Sequence, residues 1–134
     1  WYPSFPGTFS FTAGGLRSEG DSSLQTTDGS TYYPDRYWEL SWDISAAFAF
    51  SRAVSARMKI PGAIEKTDHG AIIDGGLSDT PQVTTTVTPS AELSITPIVG
   101  LSIAAEVGSE LRMSNSPGLR RTFFYSTIET RYSF

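Results

Sequence analysis

Apolar and polar positions alternate along much of this chain with a period of two. Val83, Thr85, Val87, Ala91, Leu93 and Ile95 fall on one side of an extended segment, and Gln82, Thr84, Thr86, Thr88, Ser90, Glu92 and Ser94 on the other. Such two-sidedness predicts a strand with one apolar and one polar face. Residues 97–100, with Pro97 and Gly100, fit a tight turn. Beyond it Leu101, Ile103, Ala105, Val107, Leu111 and Met113 oppose Ser102, Glu106, Gly108, Glu110 and Arg112, which makes a hairpin. The last strand covers residues 121–134, with Phe124, Ile128, Tyr132 and Phe134 on one side and Arg121, Thr127, Glu129, Arg131 and Ser133 on the other. Near the start, Phe5, Phe9, Phe11 and Ala13 alternate with Thr8, Ser10 and Thr12, before a Gly-, Ser- and Asp-rich loop over 20–30. Residues 33–64 hold two more strands. Trp38, Leu40, Trp42 and Ile44 oppose Tyr37, Glu39, Ser41 and Asp43, and Val54, Ala56, Met58 and Ile60 oppose Ser55, Arg57 and Lys59. The turn between them falls near 45–47 or near Ser51 and Arg52.

The pattern therefore predicts about six strands of roughly 9 to 14 residues, the length a tilted membrane strand and its extensions require. Their connections run long (20–32), short (45 or 51), long (65–81), short (97–100) and medium (114–118). That order resembles transmembrane barrels, which carry long loops outside and tight turns on the periplasmic side. It also favours the later of the two turns, because the earlier one aims Arg52 at lipid, at about 2 to 4 kcal/mol near the bilayer midplane.

Composition narrows the reading. The 134 residues suffice for one domain, 1–134, and not for two cores. With 39% hydrophobic and 18% charged residues, the average is that of a soluble protein, but alternating strands keep the mean low even when one face is wholly apolar. No stretch approaches the roughly 18 apolar residues of a spanning helix. Trp1 at the start, without a basic-then-apolar segment after it, suggests a processed or truncated chain. With no cysteine, disulfides, thiolate nucleophiles and cysteine metal sites are excluded. A net charge of -4 without a basic cluster argues against nucleic acid.

The final segment, 124–134, resembles the C-terminal β-signal of bacterial outer-membrane proteins. Such signals end in an aromatic residue with aromatic or apolar residues at alternating positions before it, matched by Phe124, Ile128, Tyr132 and Phe134; Ser126 and Thr130 depart from the pattern. The resemblance implies an all-β, antiparallel up-and-down transmembrane β-barrel, or the C-terminal part of one. It implies an integral outer-membrane location, both termini on the periplasmic side, and recognition by the barrel-assembly machinery, with the last strand closing against the first. The surroundings would be lipid bilayer and lipopolysaccharide. Single-chain bacterial barrels have at least about eight strands. Either strands are merged in the 59–88 region, or the chain is part of a larger barrel, or several copies combine.

The inward face then carries Glu39, Arg57, Lys59, Glu92, Glu106, Glu110, Arg112, Arg121, Glu129 and Arg131, as a pore lining that sets selectivity or as a salt-bridge network that fills a narrow lumen. The single histidine, His69, falls in the 65–81 loop near Ser78, Asp74 and Asp79. Neither a nucleophile motif nor the acidic ladder of a calcium loop accompanies it, so a solvated loop histidine and an acidic loop are expected, with no enzyme activity and no cofactor. Three functions follow: a passive channel or the barrel of a larger transport assembly; a closed structural or adhesive barrel whose loops bind a partner; and, with the faces inverted, a soluble calycin-like ligand carrier.

Overall fold

A computed structural model describes residues 7–133. It contains ten strand segments, β1 (Gly7–Glu19), β2 (Leu24–Gln25), β3 (Thr31–Tyr32), β4 (Arg36–Ala49), β5 (Val54–Lys59), β6 (Gly62–Ile73), β7 (Gly76–Val87), β8 (Ser90–Ile98), β9 (Leu101–Ser114) and β10 (Arg121–Tyr132), with one 3-10 turn at Pro117–Leu119. No helix among the described residues is long and apolar enough to cross a membrane.

Registers reduce these segments to six long rails. β5 and β6 lie end to end along β4, and one register runs from Ala49↔Ser55 through Ser45↔Lys59 and Trp42↔Gly62 to Tyr37↔Thr67. β7 and β8 likewise follow β6 and β5 in one register, Gly62↔Val87 and Lys59↔Ser90, and both then pair with β9. The breaks fall at Pro61 and Pro89, each of which lacks an N–H for the ladder. The rails stay joined there because Thr88 N–H donates to Pro61 O at 2.9 Å and Ser109 N–H donates to Pro89 O at 3.0 Å. The fold is all-β, antiparallel and up-and-down: β1, β4, β5–β6, β7–β8, β9 and β10 in spatial order.

The turn between β4 and β5 occupies 50–53, the later of the two sequence positions. One expectation is overturned. Residues 65–81 do not form a loop but the distal part of a hairpin, β6 and β7, reversed at Asp74 (φ 50) and Gly75 (φ 85). These positive φ values are those of a two-residue hairpin turn whose twist matches its strands. The first strand also extends to Glu19, so the loop that follows covers 20–35 and contains the small β2–β3 hairpin. The Phe5 and Phe134 positions lie outside the described residues.

The expected closure of the last strand on the first is not formed among the described residues: β1 pairs only with β4, and β10 only with β9. Nor is there an apolar core among them, since the one buried hydrophobic residue is Ala71. Along β9, Ile103, Ala105, Val107, Leu111 and Met113 are exposed, whereas Ser102, Ala104, Glu106, Glu110 and Arg112 are half-buried. The sheet therefore curls around its polar face and turns its apolar face outward.

Candidate functional site

Residues directly opposed in antiparallel strands share a face, so the registers can be read as rows across the sheet. On the outer face these rows are Gly15, Leu40, Ile64, Thr85, Met113; Ala13, Trp42, Gly62, Val87, Leu111, Thr122; Phe11, Ile44, Ile60, Pro89, Ser109, Phe124; Phe9, Ala46, Met58, Ala91, Val107, Ser126; Gly7, Phe48, Ala56, Leu93, Ala105, Ile128; and Val54, Ile95, Ile103, Thr130. None contains a charged side chain. At two residues per row, six rows span about 33 Å of strand, or about 25 Å of height at a tilt of about 40°. Phe124 and Ile128 are each 80% exposed and Phe9 73%, so the rest of the described chain leaves these side chains largely uncovered. Charge returns on this face one row beyond it, at Arg17 and Lys66, and then at Glu19, Arg36 and Asp68.

The opposite face is polar at the same levels. Its rows are Leu16, Glu39, Glu65, Thr84, Ser114; Gly14, Ser41, Ala63, Thr86, Arg112, Arg121; Thr12, Asp43, Pro61, Thr88, Glu110, Phe123; Ser10, Ser45, Lys59, Ser90, Gly108, Tyr125; Thr8, Ala47, Arg57, Glu92, Glu106, Thr127; and Ala49, Ser55, Ser94, Ala104, Glu129, with Ser102 and Arg131 below. All ten charged residues expected on one face lie on it together. Asp43 and Glu65 join them; Glu65 escapes the sequence pattern because the stretch it opens reads as a loop. Phe124, Ile128 and Tyr132 of the last strand lie together on the opposite, apolar face.

Few of these charges are paired. Arg121 Nε donates to Glu110 Oε1 at 2.6 Å, and Arg131 donates to Glu129 at 2.6 and 3.1 Å. Ser94 Oγ donates to Glu92 at 3.1 Å, and Tyr125 OH reaches Glu106 at 3.5 Å. Among the described residues Glu39, Asp43, Arg57, Lys59 and Glu65 make no ion pair, and Arg112 Nε is buried without a hydrogen-bond partner. A recess of about 260 Å³ opens towards the tight-turn end, floored by Ser94, Ser102 and Ala104 and rimmed by Arg57, Glu92, Glu129 and Arg131. Small residues among its lining leave the space, and four ionisable side chains make it polar.

The other end is covered. Thr27 N–H donates to Gly75 O at 3.1 Å, which docks the 20–35 loop on the tip of the β6–β7 hairpin. Tyr32 packs against His69 with ring centroids 4.8 Å apart. Arg17 grips Asp68 with two hydrogen bonds of 2.6 and 2.5 Å, and this pairing holds the Asp68 carboxyl below the usual carboxylate range. Asp28 is lowered too, first by the Thr26 hydroxyl and then by the Ser30 N–H. His69 is thus a strand residue packed under a loop, not a solvated loop histidine; its Nδ1 meets Gly70 O at 2.7 Å. Ser78 Oγ donates to Thr80 O at 3.0 Å and accepts from Thr80 N–H at 3.2 Å, so backbone groups engage that hydroxyl. Asp68, Asp74 and Asp79 lie in β6, its turn and β7, and no group of three or more metal-ligating side chains gathers among the described residues.

Comparison of the chain with family models, with curated proteins and with solved structures finds no match.

Proposed function

We propose that the chain is an integral β-barrel wall of a bacterial outer membrane, whose polar face lines a passive aqueous pathway, alone or as part of a larger transport assembly. One observation carries the reading: an exposed outer face about as tall as a membrane's hydrocarbon band and free of charge, backed at the same levels by a face rich in ionised groups. A soluble ligand carrier needs the inverse, with its apolar face turned to a protein interior. The sparse ion pairing favours a wet lining over a packed network, because buried charges left unpaired in a dry lumen are strongly destabilising. The tight turns 50–53 and 99–100 face the periplasm on this reading, and the capped end faces outward.

The test is direct. The purified chain should require detergent and migrate as a heat-modifiable band, and a chain soluble without detergent sinks the membrane reading. Reconstituted in planar bilayers, the folded protein should conduct, with an ion preference that shifts on Glu106→Lys or Arg112→Glu; a folded, closed barrel with no conductance removes the channel.

The docked 20–35 loop favours a second reading, a closed barrel that offers an ordered outer surface to a partner. Deleting that loop should then abolish binding while the barrel stays folded, and unchanged binding would count against it.

A further inference from the structure

We propose that the recess rimmed by Arg57 and Glu92 is a binding site for a small zwitterion of the α-amino-acid type, whose carboxylate meets Arg57 and whose ammonium meets Glu92. The inference deepens the aqueous-lining reading above, by naming a solute class for the same face, and rests on it.

Two cations and two anions line the recess, but only one couple is matched. Arg131 donates from Nε and Nη2 to the two oxygens of Glu129, so those two satisfy each other. Arg57 makes no ion pair among the described residues, although Glu92 stands directly opposite it in register. Glu92 is half-buried and turns along its own strand, where Ser94 Oγ donates to it at 3.1 Å. Its other cross-strand neighbour is Glu106. Like charges directly opposed across a ladder are destabilising, so an ammonium beside these carboxylates is favoured. The recess therefore pairs an unmatched cation on β5 with an excess of carboxylate on β8 and β9.

That arrangement selects a pattern of charge in the solute. An anion gains at Arg57 and loses at Glu92 and Glu106, a cation does the reverse, and a zwitterion gains at both. The planar fork of Arg57 suits a carboxylate, because its N–H groups match two oxygens at once. An α-amino acid carries both charged groups on one carbon, and the two side chains that would hold them leave the sheet a single strand spacing apart, about 4.8 Å. The volume sets the size. At about 260 Å³ the recess is smaller than the roughly 300 to 1,000 Å³ of sites for drug-sized ligands, and its floor is Ser94, Ser102 and Ala104. Arg57, Glu92 and this floor stand on β5, β8 and β9, each paired on both sides at this level, so the ends of the chain do not define the site.

The test titrates the folded chain, in a non-ionic detergent at neutral pH and low salt, with L-alanine, with propionate, which lacks the ammonium, and with ethylammonium, which lacks the carboxylate. Calorimetry should show alanine binding about five- to tenfold more tightly than either fragment. Arg57→Gln should bring alanine down to the level of ethylammonium, and Glu92→Gln down to that of propionate, whereas Lys66→Gln on the opposite face should change nothing. Either fragment matching alanine, or alanine binding indifferent to Arg57 and Glu92, overturns the site. Where the variants fail to fold, the three titrations of the unsubstituted chain decide the question alone. A chain that needs detergent, is heat-modifiable and ignores alanine overturns the site and leaves the membrane reading standing; one that is soluble without detergent and ignores alanine overturns both.

Discussion

At the scale of single residues, depth on the outer face decides what a substitution does. Val107 sits near the middle of the apolar rows and is 59% exposed, as Met113 is at their margin, so the two lose similar protein contact when changed. Their difference should therefore report the lipid: Val107→Arg should cost about 2 to 4 kcal/mol, against about 0 to 1 for Met113→Arg at the outer margin. Reversible unfolding of both variants in bilayers checks the order; equal costs would mean that hydrocarbon does not surround this face. Beyond the belt, the Arg17–Asp68 pair answers to pH. The folded state holds the Asp68 carboxyl lower than the unfolded chain does, so its contribution is present above the unfolded value and is lost as pH falls through the folded one. The 20–35 loop, which packs through Tyr32 on His69 beside Asp68, should accordingly become more open to proteolysis only in acid below the ordinary carboxylate range. Asp68→Asn should reproduce that opening at neutral pH and remove most of its pH dependence. Both groups are solvent-facing, so a loosening of the cap is expected and not a loss of the fold.

At the scale of elements, the β6–β7 hairpin contrasts two kinds of sequence signal. Its distal half reads poorly by alternation, because Lys66, Thr67, Asp68 and His69 are consecutive polar residues and the register shifts between Lys66 and Gly70 and again before Ile72. Hence the stretch passes for a loop. The Asp74–Gly75 pair between Ile73 and Leu77 is nonetheless the turn chemistry that a two-residue hairpin demands, and it marks the true reversal. Pro61 and Pro89 obscure continuity in the same way, since a proline in a central strand argues against that strand, yet here both are absorbed without a change of register. The strand faces are legible because a period of two leaves no choice once the register is set. Gly75→Val forces a β-branched residue into a left-handed conformation and should destabilise the hairpin by about 1 to 3 kcal/mol. The same change at Gly118, in the 115–120 connection, meets open space and needs no positive φ, so it should be nearly silent. Hydrogen exchange along β6 and β7 separates the two outcomes.

At the scale of the whole molecule, the sequence pattern shows which residues share the polar face, but not how they are paired, because pairing depends on curvature and on neighbours far along the chain. Arg112 shows the difference. It alternates correctly, yet its cross-strand neighbours are Arg121 and Thr86, and Glu110 is taken up by Arg121. On the proposed reading of this face as an aqueous lining, the same map sets the sign of the field along it. Glu39, Asp43, Glu65, Glu92, Glu106, Glu110 and Glu129 outnumber Arg57, Lys59, Arg112, Arg121 and Arg131, and β1 contributes no charge to this face. An aqueous pathway along it should thus prefer cations modestly. Because these groups face water, the preference should weaken with salt, from a screening length of about 10 Å at 0.1 M to about 3 Å at 1 M. Reversal potentials across a salt gradient measure it. Glu92→Lys, at the recess where Arg57 already stands free, should turn the preference towards anions, whereas Ser126→Lys on the outer face should leave it unchanged if the protein inserts at all. An anion preference in the unsubstituted chain, or one indifferent to Glu92, would mean that ions do not pass along this face.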